Sequence, residues 1–402
     1  MASNVGAERL PPPSQSKMAI SPIAWTIADI RRQGSAKIDA KWAEYINSGS
    51  MDSISTQANE EAYNAYRIVP RILRNVAEVD ASTTIFGQRV SMPFGFSPAA
   101  MHCLAHPEGE VATSRAAAKA NIAMGLSHWA TRSMEDVRKA SAEVGGTNPY
   151  GIQSSGASTR SGMQTLFKKA SELGYRAVIM TVDAPTLGRR LAEYRNGINL
   201  PPGMKFPNIV DEKSGESPAS FVGLPRDAST TWDKLLPWLS DPDVVPEGME
   251  IWLKGVYAPE DVYMAATYPR VKGVIISNHG GRQLDGCPAT LEALPDCAEA
   301  ARNINSTRSP ENKLMLGIDG GIRRGTDIFK AVALGADMCF AGRIPIWGLG
   351  YAGEAGVSRA IQLLREEFEM AMRLAGVTKL SQINKHCLAV LTTGRPGIMS
   401  RL

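Results

Sequence analysis

The feature that most constrains the fold is an eightfold alternation of short apolar runs with stretches of helical periodicity. Several runs, such as RAVIMTVDAP, are apolar at nearly every position rather than at every second one. Strands of this kind are buried on both faces, and they belong to parallel sheets with helical crossovers. The eight runs are MPFGFSPAA (92–100), NIAMGLSHWA (121–130), TNPYGIQS (147–154), RAVIMTVDAP (176–185), EIWLKGV (250–256), KGVIISNHGG (272–281), KLMLGIDGG (313–321) and DMCFAGR (337–343).

Eight strands joined by crossover helices predict an α/β fold, a (β/α)8 TIM barrel, with an open doubly wound sheet as the alternative. The spacing breaks once, because residues 191–249 separate the fourth and fifth runs by far more than one helix. We expect this segment to be a long structureless lid loop at the barrel mouth. The predicted organisation is a flexible N-terminal arm (1–20), an N-terminal helical segment (21–85), the barrel (86–376) and a C-terminal tail (377–402).

Charge and cysteine content limit the partners and the location. The net charge of +4 is small and dispersed, so no nucleic acid is expected. No apolar run approaches the length of a membrane span, and no signal-peptide core is present. Five cysteines without a CxxC pair favour a reducing compartment. The terminal Ser400-Arg401-Leu402 resembles the Ser-Lys-Leu address, so we expect a cytoplasmic or peroxisomal protein.

Polar residues follow every one of the eight runs, at the end where barrel enzymes place their chemistry. His279 and Arg282 follow the sixth run, and Asp183 follows the fourth. A histidine near a strand end is often only structural. A base, an anion clamp and an orienting carboxylate together nevertheless favour catalysis.

The loops after the seventh and eighth runs, DGGIRRGTD and AGR, predict a phosphate site. They supply glycines, arginines and a helix start, at the place where barrels commonly bind phosphate. A glycine turn with solvated arginines is the alternative.

Two other motifs carry less weight. GLGYAG (348–353) lacks a surrounding βαβ unit, and the pair His102 and His106 has no third ligand nearby, so we predict no dinucleotide and no metal.

These motifs taken together resemble the FMN-dependent α-hydroxy-acid oxidases and dehydrogenases, such as glycolate and lactate oxidase. The matching segments are LAHPEGE (104–110), MTVDAPTLGRR (180–190), LKGV (253–256), SNHGGRQLDG (277–286) and DGGIRRGTDIFKAVALGA (319–336). The resemblance implies an FMN-filled (β/α)8 barrel that oxidises a 2-hydroxy acid to a 2-oxo acid and passes hydride to the flavin N5. It also implies a homo-oligomer, a tetramer in related proteins.

The resemblance further implies a role for each matching residue. His279 would be the base and Asp183 would position it, while Tyr45 and Arg282 would bind the substrate carboxylate beside Arg190. Lys254 would stabilise the reduced flavin. The other residues implied to bind the cofactor are Ala99, Ala100, Ser127, Gln153, Thr181, Ser277, Asp319, Gly320, Gly321, Arg323, Gly342 and Arg343.

The sequence departs from the family pattern in the substrate wall. Ser155 occupies the place of a tyrosine that helps to bind substrate, and His128 replaces a small residue. A wider wall makes glycolate and lactate less suitable, and favours a bulkier acid or, alternatively, a carboxylated cyclic amine or imine in specialised metabolism. An FMN-binding protein without turnover and a non-redox enzyme of phosphate substrates are two further hypotheses. Because we find neither a haem-binding domain nor a membrane loop in the sequence, we expect O2 to be the electron acceptor.

Overall fold

A computed structural model describes residues 23–156, 159–197, 199–209, 227–391 and 399–401. Its helices are α1 (Ile27–Ser35), α2 (Ala40–Asn47), α3 (Ile54–Ala65), α4 (Glu110–Lys119), α5 (Met134–Glu143), α6 (Arg160–Glu172), α7 (Leu191–Asn196), α8 (Trp232–Leu239), α9 (Pro259–Ala266), α10 (Thr290–Asn305), α11 (Gly325–Leu334) and α12 (Arg343–Leu374). Its strands are β1 (Tyr66–Ile68), β2 (Thr83–Ile85), β3 (Gln88–Val90), β4 (Phe94–Phe96), β5 (Ala123–Ser127), β6 (Tyr150–Ser155), β7 (Ala177–Thr181), β8 (Glu250–Val256), β9 (Val271–Ile276), β10 (Met315–Asp319), β11 (Met338–Ala341), β12 (Leu388–Leu391) and β13 (Met399–Arg401).

Strands β4 to β11 form a closed parallel barrel, in which β11 pairs with β4 to complete the ring. Each of these strands coincides with one of the eight apolar runs, with β6 and β9 extending one residue beyond theirs. Strands such as β5 and β7 are buried at every position. The predicted (β/α)8 barrel is therefore confirmed, and the open doubly wound sheet is excluded.

The hairpin β2–β3 closes the amino-terminal end of the barrel. Phe86, at its turn, packs edge-on against Trp252 with the ring centroids 5.5 Å apart, and it also stacks on Phe340. The same apolar cluster contains Ala123 and Ala177, the first residues of β5 and β7. Because this end is filled with side chains, ligands can reach the barrel interior only from its carboxyl end.

The N-terminal segment is less helical than the sequence analysis expected. Helices α1 to α3 occupy its first part, and α1 begins at a Thr26–Asp29 capping box. Residues 66–68 and 83–85 are strands instead, and the expected boundary at residue 86 falls inside the β2–β3 hairpin. The prediction missed β1 because its partner, β12, lies in the expected C-terminal tail. Such long-range pairing has no local sequence signature.

The excursion at 191–249 contains α7 and α8, so the expectation of a structureless loop was wrong for its described part. Residues 199–209 pack over the barrel rim, where Leu200 and Phe206 form an apolar cluster with Met101. The Phe206 ring also meets the Trp129 ring edge-on, with the centroids 5.0 Å apart. Residues 198 and 210–226 of this excursion lie outside the described residues.

The motif GLGYAG lies inside α12, which is irregular at Ala352 and Gly353. A side chain at Gly348 would come within 2.8 Å of the Val357 backbone, so the glycines serve helix packing. His102 Nδ1 lies 3.0 Å from Thr113 Oγ1 and His106 Nδ1 accepts from the Glu108 amide, and no group of three metal-ligating side chains occurs among the described residues.

In the described chain no helix is both long and apolar enough to cross a bilayer. The predicted arm at 1–20 and the terminal Leu402 lie outside the description. The backbone of Met399–Arg401 pairs with β12.

Candidate active site

The carboxyl ends of the barrel strands enclose a cavity with an empty volume of about 1340 Å³, part of it open to solvent. The structure brings nearly all of the predicted site residues to its wall. The exceptions are Ser277 and Asp183, which lie behind the wall and hold residues that face the cavity. The predicted residues that line it are Tyr45, Ala99, Ala100, Ser127, Gln153, Ser155, Thr181, Arg190, Lys254, His279, Arg282, Asp319, Gly320, Gly321, Arg323, Gly342 and Arg343.

His279 is held by a carboxylate and by its own backbone. Its Nδ1 lies 3.0 Å from Asp183 Oδ1 and 3.3 Å from Oδ2, so this nitrogen carries the ring proton and donates a hydrogen bond to the carboxylate. The residue adopts a left-handed backbone (φ 58°), and its amide donates to Ser277 Oγ. With Nδ1 engaged in this way, the lone pair of Nε2 is available as a base.

Burial lowers the pKa of the His279 imidazole, although the Asp183 carboxylate acts in the opposite direction. The pKa of Asp183 is itself lowered, because the nearby His279, Lys254 and Arg190 outweigh its burial. The site therefore holds an ionised carboxylate beside an imidazole that stays neutral at neutral pH.

This arrangement predicts the pH dependence of the chemical step. Protonation removes the Nε2 lone pair, so the rate constant of flavin reduction should be constant at neutral pH. It should fall only below about 6.5, the ordinary histidine pKa. Asp183→Asn removes the carboxylate that raises the pKa of His279. The pH below which flavin reduction slows should therefore be lower in this variant than in wild type. Anaerobic stopped-flow measurements between about pH 5 and 8 test this, and a wild-type rate already halved above pH 7 would contradict it.

Lys254 connects the base to a second carboxylate. Its ammonium donates to Ser277 Oγ at 2.9 Å and lies 3.3 Å from Asp319 Oδ2, which also accepts from Ser97 Oγ. The other oxygen, Asp319 Oδ1, is buried and has no hydrogen-bond partner within the described ranges. A buried carboxylate oxygen left free at a cavity wall is suited to accept a hydrogen bond from a ligand hydroxyl.

Three polar side chains form a row across the ends of β5, β6 and β7. Ser127 Oγ donates to Gln153 Oε1, and Gln153 Nε2 donates to Thr181 Oγ1, both at 3.0 Å. The mutual hydrogen bonds fix all three side chains at the cavity wall. The row presents both donors and acceptors, which suits the heteroatom edge of a planar ring system.

The far end of the cavity has an excess of positive charge. Arg31 and Arg323 share the Glu60 carboxylate, at 3.3 and 2.8 Å, whereas Arg343 donates only to the carbonyls of Ile46 and Ser48 within the described residues. These three guanidinium groups and one carboxylate give this end of the cavity a net charge of +2. Burial and the neighbouring arginines lower the pKa of Arg343 to about 9. A phosphate monoester, with a charge close to −2, would neutralise this end.

Two features of the expected phosphate loop after β10 already have partners within the protein. The amides of Arg323 and Arg324 donate to the Asp327 carboxylate and that of Gly325 to Glu367, so the start of α11 is already capped. A side chain at Gly321 would overlap the Asn59 carbonyl oxygen at 1.8 Å, so packing against α3 requires this glycine.

The helix start that faces the cavity is that of α12. Gly342 and Arg343 line the cavity there, and no side chain in the described part of the protein caps this helix. An uncapped helix start with a neighbouring arginine favours an anion.

Arg282 is fixed by the end of α2. Its Nη1 donates to the carbonyls of Tyr45 and Ser48, and its guanidinium lies 4.5 Å from the centroid of the Tyr45 ring. Free carbonyls at a helix end stabilise a cation. One Nη2–H donates to a carboxylate. Among the bonds described, the Nε–H and the second Nη2–H of Arg282 remain available for a ligand.

That carboxylate belongs to Glu193, which the sequence analysis missed. Its Oε1 accepts from Arg190 Nη1 at 3.0 Å and from Arg282 Nη2 at 3.2 Å. Gln283 was missed as well, and it accepts from the Gly188 amide while donating to the carbonyl of Asp183. The spacing of Glu193, three residues after Arg190 on a helix, was a detectable signal for the first pair.

The remaining wall is apolar. Ser155 is buried at the end of β6, and Met101, Trp129, Ala184 and Leu187 line the cavity with it. The cluster of Leu200 and Phe206 covers Met101 and Trp129 from outside. This wall can accept an apolar group next to the polar row and the arginines.

Comparisons with known proteins agree with this geometry. Residues 34–390 match the model of the family described as FMN-dependent dehydrogenase. The chain is 43% identical to Oxidase FUB9 of Fusarium oxysporum f. sp. lycopersici over 92% of both chains, and 37% identical to human 2-hydroxyacid oxidase 1 over 89% of this chain and 95% of the relative. A crystal structure of mandelate oxidase with (S)-2-phenylpropionate superimposes with a TM-score of 0.78, at 30% identity, over 91% of this chain and 98% of that one.

Proposed function

This chain belongs to the family of FMN-dependent dehydrogenases, and we propose that it oxidises a 2-hydroxy acid with an apolar side chain to the 2-oxo acid. The protein is an FMN-dependent oxidoreductase of the hydroxy-acid oxidase type, which excludes a non-redox enzyme of phosphate substrates. One observation carries the proposal. His279 lines a cavity whose wall also contains Arg282, and among the described residues the His279 Nε2 and two N–H donors of Arg282 have no hydrogen-bond partner.

The cavity fits FMN by chemistry and by charge. The row of Ser127, Gln153 and Thr181 would hold the ring, and the free oxygen of Asp319 would hold a ribityl hydroxyl. The excess charge at Arg323 and Arg343 would neutralise the phosphate. FMN, when bound, would supply the two-electron acceptor, and the Lys254 cation in the cavity wall would favour its charged, reduced form.

The chain's own residues perform the acid–base and binding steps. Arg282 binds the substrate carboxylate through its free donors and so fixes the α-carbon in front of His279. His279 Nε2 takes a proton, from the hydroxyl in a hydride route or from the α-carbon in a carbanion route. The Asp183 carboxylate then stabilises the imidazolium at 3.0 Å.

The size of the substrate follows from Ser155. A tyrosine there would fill the space next to Trp129 and Leu187 and would add a hydroxyl donor. Ser155→Tyr should therefore increase kcat/KM for glycolate relative to a bulky acid such as mandelate. The expected change in this ratio is about ten- to hundredfold, since a buried donor is worth about 1–3 kcal/mol. Measuring both substrates with both proteins tests this. Ser155→Ala serves as the control for loss of the hydroxyl alone, and an unchanged ratio in Ser155→Tyr would show that residue 155 does not face the substrate.

Oxidation of a carboxylated cyclic amine or imine in specialised metabolism is the second candidate. The same widened wall supports it, because a ring needs space at Ser155. A panel of 2-hydroxy acids and cyclic amino acids, mixed anaerobically with the holoenzyme, distinguishes the two candidates by which class bleaches the flavin absorbance. Bleaching by any member also excludes an FMN-binding protein without turnover, whereas a flavin bleached by dithionite alone would support it.

Oxygen as acceptor, a homotetramer and a peroxisomal location are further proposals. The resemblance to hydroxy-acid oxidases supports the first two, and the terminal Ser400-Arg401-Leu402 supports the third. Oxygen consumption during turnover, light scattering of the purified protein, and localisation with and without the last three residues test them.

A further inference from the structure

The carboxylate-binding end of the cavity already contains a carboxylate of the protein. Glu193, on α7, bridges Arg190 and Arg282 through a single oxygen, and its side chain is 14% exposed. The Arg190 and Arg282 side chains are 7% and 13% exposed, so water screens this triad poorly. The negative charge of Glu193 therefore acts on any ligand that binds beside the two arginines.

Arg190 uses three of its five N–H donors on its neighbours. Its Nη1 donates to Glu193, its Nε to the Arg282 carbonyl at 3.1 Å, and its Nη2 to Gln283 Oε1 at 3.4 Å. Like Arg282, Arg190 therefore keeps two N–H donors that the described bonds leave unused, together with its positive charge. Because Glu193 neutralises that charge, one cation remains for the ligand.

The surrounding charges balance in the same way. Besides the two arginines and Glu193, the charged groups near this end are Lys254, Asp183, Asp319 and Arg343, and Lys254 lies 3.3 Å from Asp319. Arg343 Nη2 donates to the same Ser48 carbonyl as Arg282 Nη1, and the phosphate of FMN would neutralise its charge. With Arg343 neutralised in this way, the other three cations face three carboxylates, and His279 is neutral. A monocarboxylate adds one negative charge to a balanced site, whereas a dicarboxylate adds two.

We propose that Glu193 is a specificity-determining residue, which neutralises Arg190 and so restricts the site to monocarboxylate substrates. This inference rests on the proposed function and specifies the charge of the substrate. Without the Glu193 carboxylate, Arg190 would carry an uncompensated charge at the cavity wall and could bind a second carboxylate.

The test compares two probes of nearly identical shape. Succinate is a dianion, and succinamate replaces one of its carboxylates with an amide. Both are titrated into the oxidised holoenzyme, and binding is followed by the change in the flavin spectrum and by competitive inhibition of turnover. Wild type should bind succinamate more tightly than succinate.

Glu193→Gln keeps an oxygen that can accept from both arginines and removes only the charge. It should shift the ratio of the two dissociation constants toward succinate by about tenfold or more, since a poorly screened charge is removed from the site. Glu193→Asp keeps the charge but is shorter, so it should weaken both probes and leave the ratio near that of wild type.

Two failures remain distinguishable. If wild type binds succinamate but Glu193→Gln leaves the ratio within twofold, Glu193 does not set the substrate charge and this inference is overturned alone. If neither probe affects the flavin or the turnover of any of the three proteins, the carboxylate site itself is wrong and the proposed function fails with it. A ratio shifted equally by Glu193→Asp would assign the effect to geometry and also overturn the charge argument.

Discussion

His279→Ala should retain FMN and reduce the rate constant of flavin reduction by at least about 10²-fold, the usual scale for a positioned acid–base group. The imidazole lines the same cavity as Arg282, and Asp183 cannot replace Nε2 because it reaches only the Nδ1 side. The measurement is anaerobic stopped-flow reduction at saturating substrate, which separates the chemical step from reoxidation.

The left-handed backbone of His279 calls for a second variant. Alanine is strained at φ 58°, whereas asparagine tolerates that region and still cannot act as a base. His279→Asn should therefore match the folding and FMN content of wild type while losing the same activity. If His279→Asn reduced its flavin at a rate close to wild type, the base would have to be sought elsewhere.

Arg343→Ala should weaken FMN binding by about ten- to hundredfold in Kd, because it removes a charge-assisted contact worth about 1.5–3 kcal/mol. The excess charge at the phosphate end falls from two to one when this arginine is lost. The measurement is the equilibrium between free and bound FMN, followed by the recovery of flavin fluorescence on release.

Arg343 also holds the end of α2, so a loss of fold has to be separated from a loss of charge. Arg343→Lys keeps the cation and should lose less affinity than Arg343→Ala. Arg373→Ala removes a surface arginine paired with Glu369 and should change nothing. Equal FMN affinity in wild type and Arg343→Ala would remove the phosphate assignment.

The barrel could be predicted from the sequence because its strands are local, continuous and apolar throughout. Residues that directly follow those strands, such as His279 and Asp319, could be placed at one rim for the same reason. Neither argument needed a contact between distant segments.

The parts that the sequence analysis missed depend on such contacts. The carbonyls of Tyr45 and Ser48 bind arginines that lie more than two hundred residues away in the sequence. Asp327 and Glu367 cap α11, so the helix start left uncapped at the cavity is that of α12 in the described part of the chain. The Glu367 contact and the carbonyl contacts have no spacing that marks them, because they follow from how the helices pack around the closed barrel. The Asp327 cap is local, since Asp327 lies three residues after Arg324.

The most direct test of the central claim is a single anaerobic turnover with one equivalent of a bulky 2-hydroxy acid. The product is quantified by mass spectrometry and the flavin by its visible absorbance. We predict one 2-oxo acid formed for each FMN reduced in wild type, and neither change in His279→Asn. A flavin that stays oxidised with every acid, or one that bleaches without forming a 2-oxo acid, would contradict the proposed function.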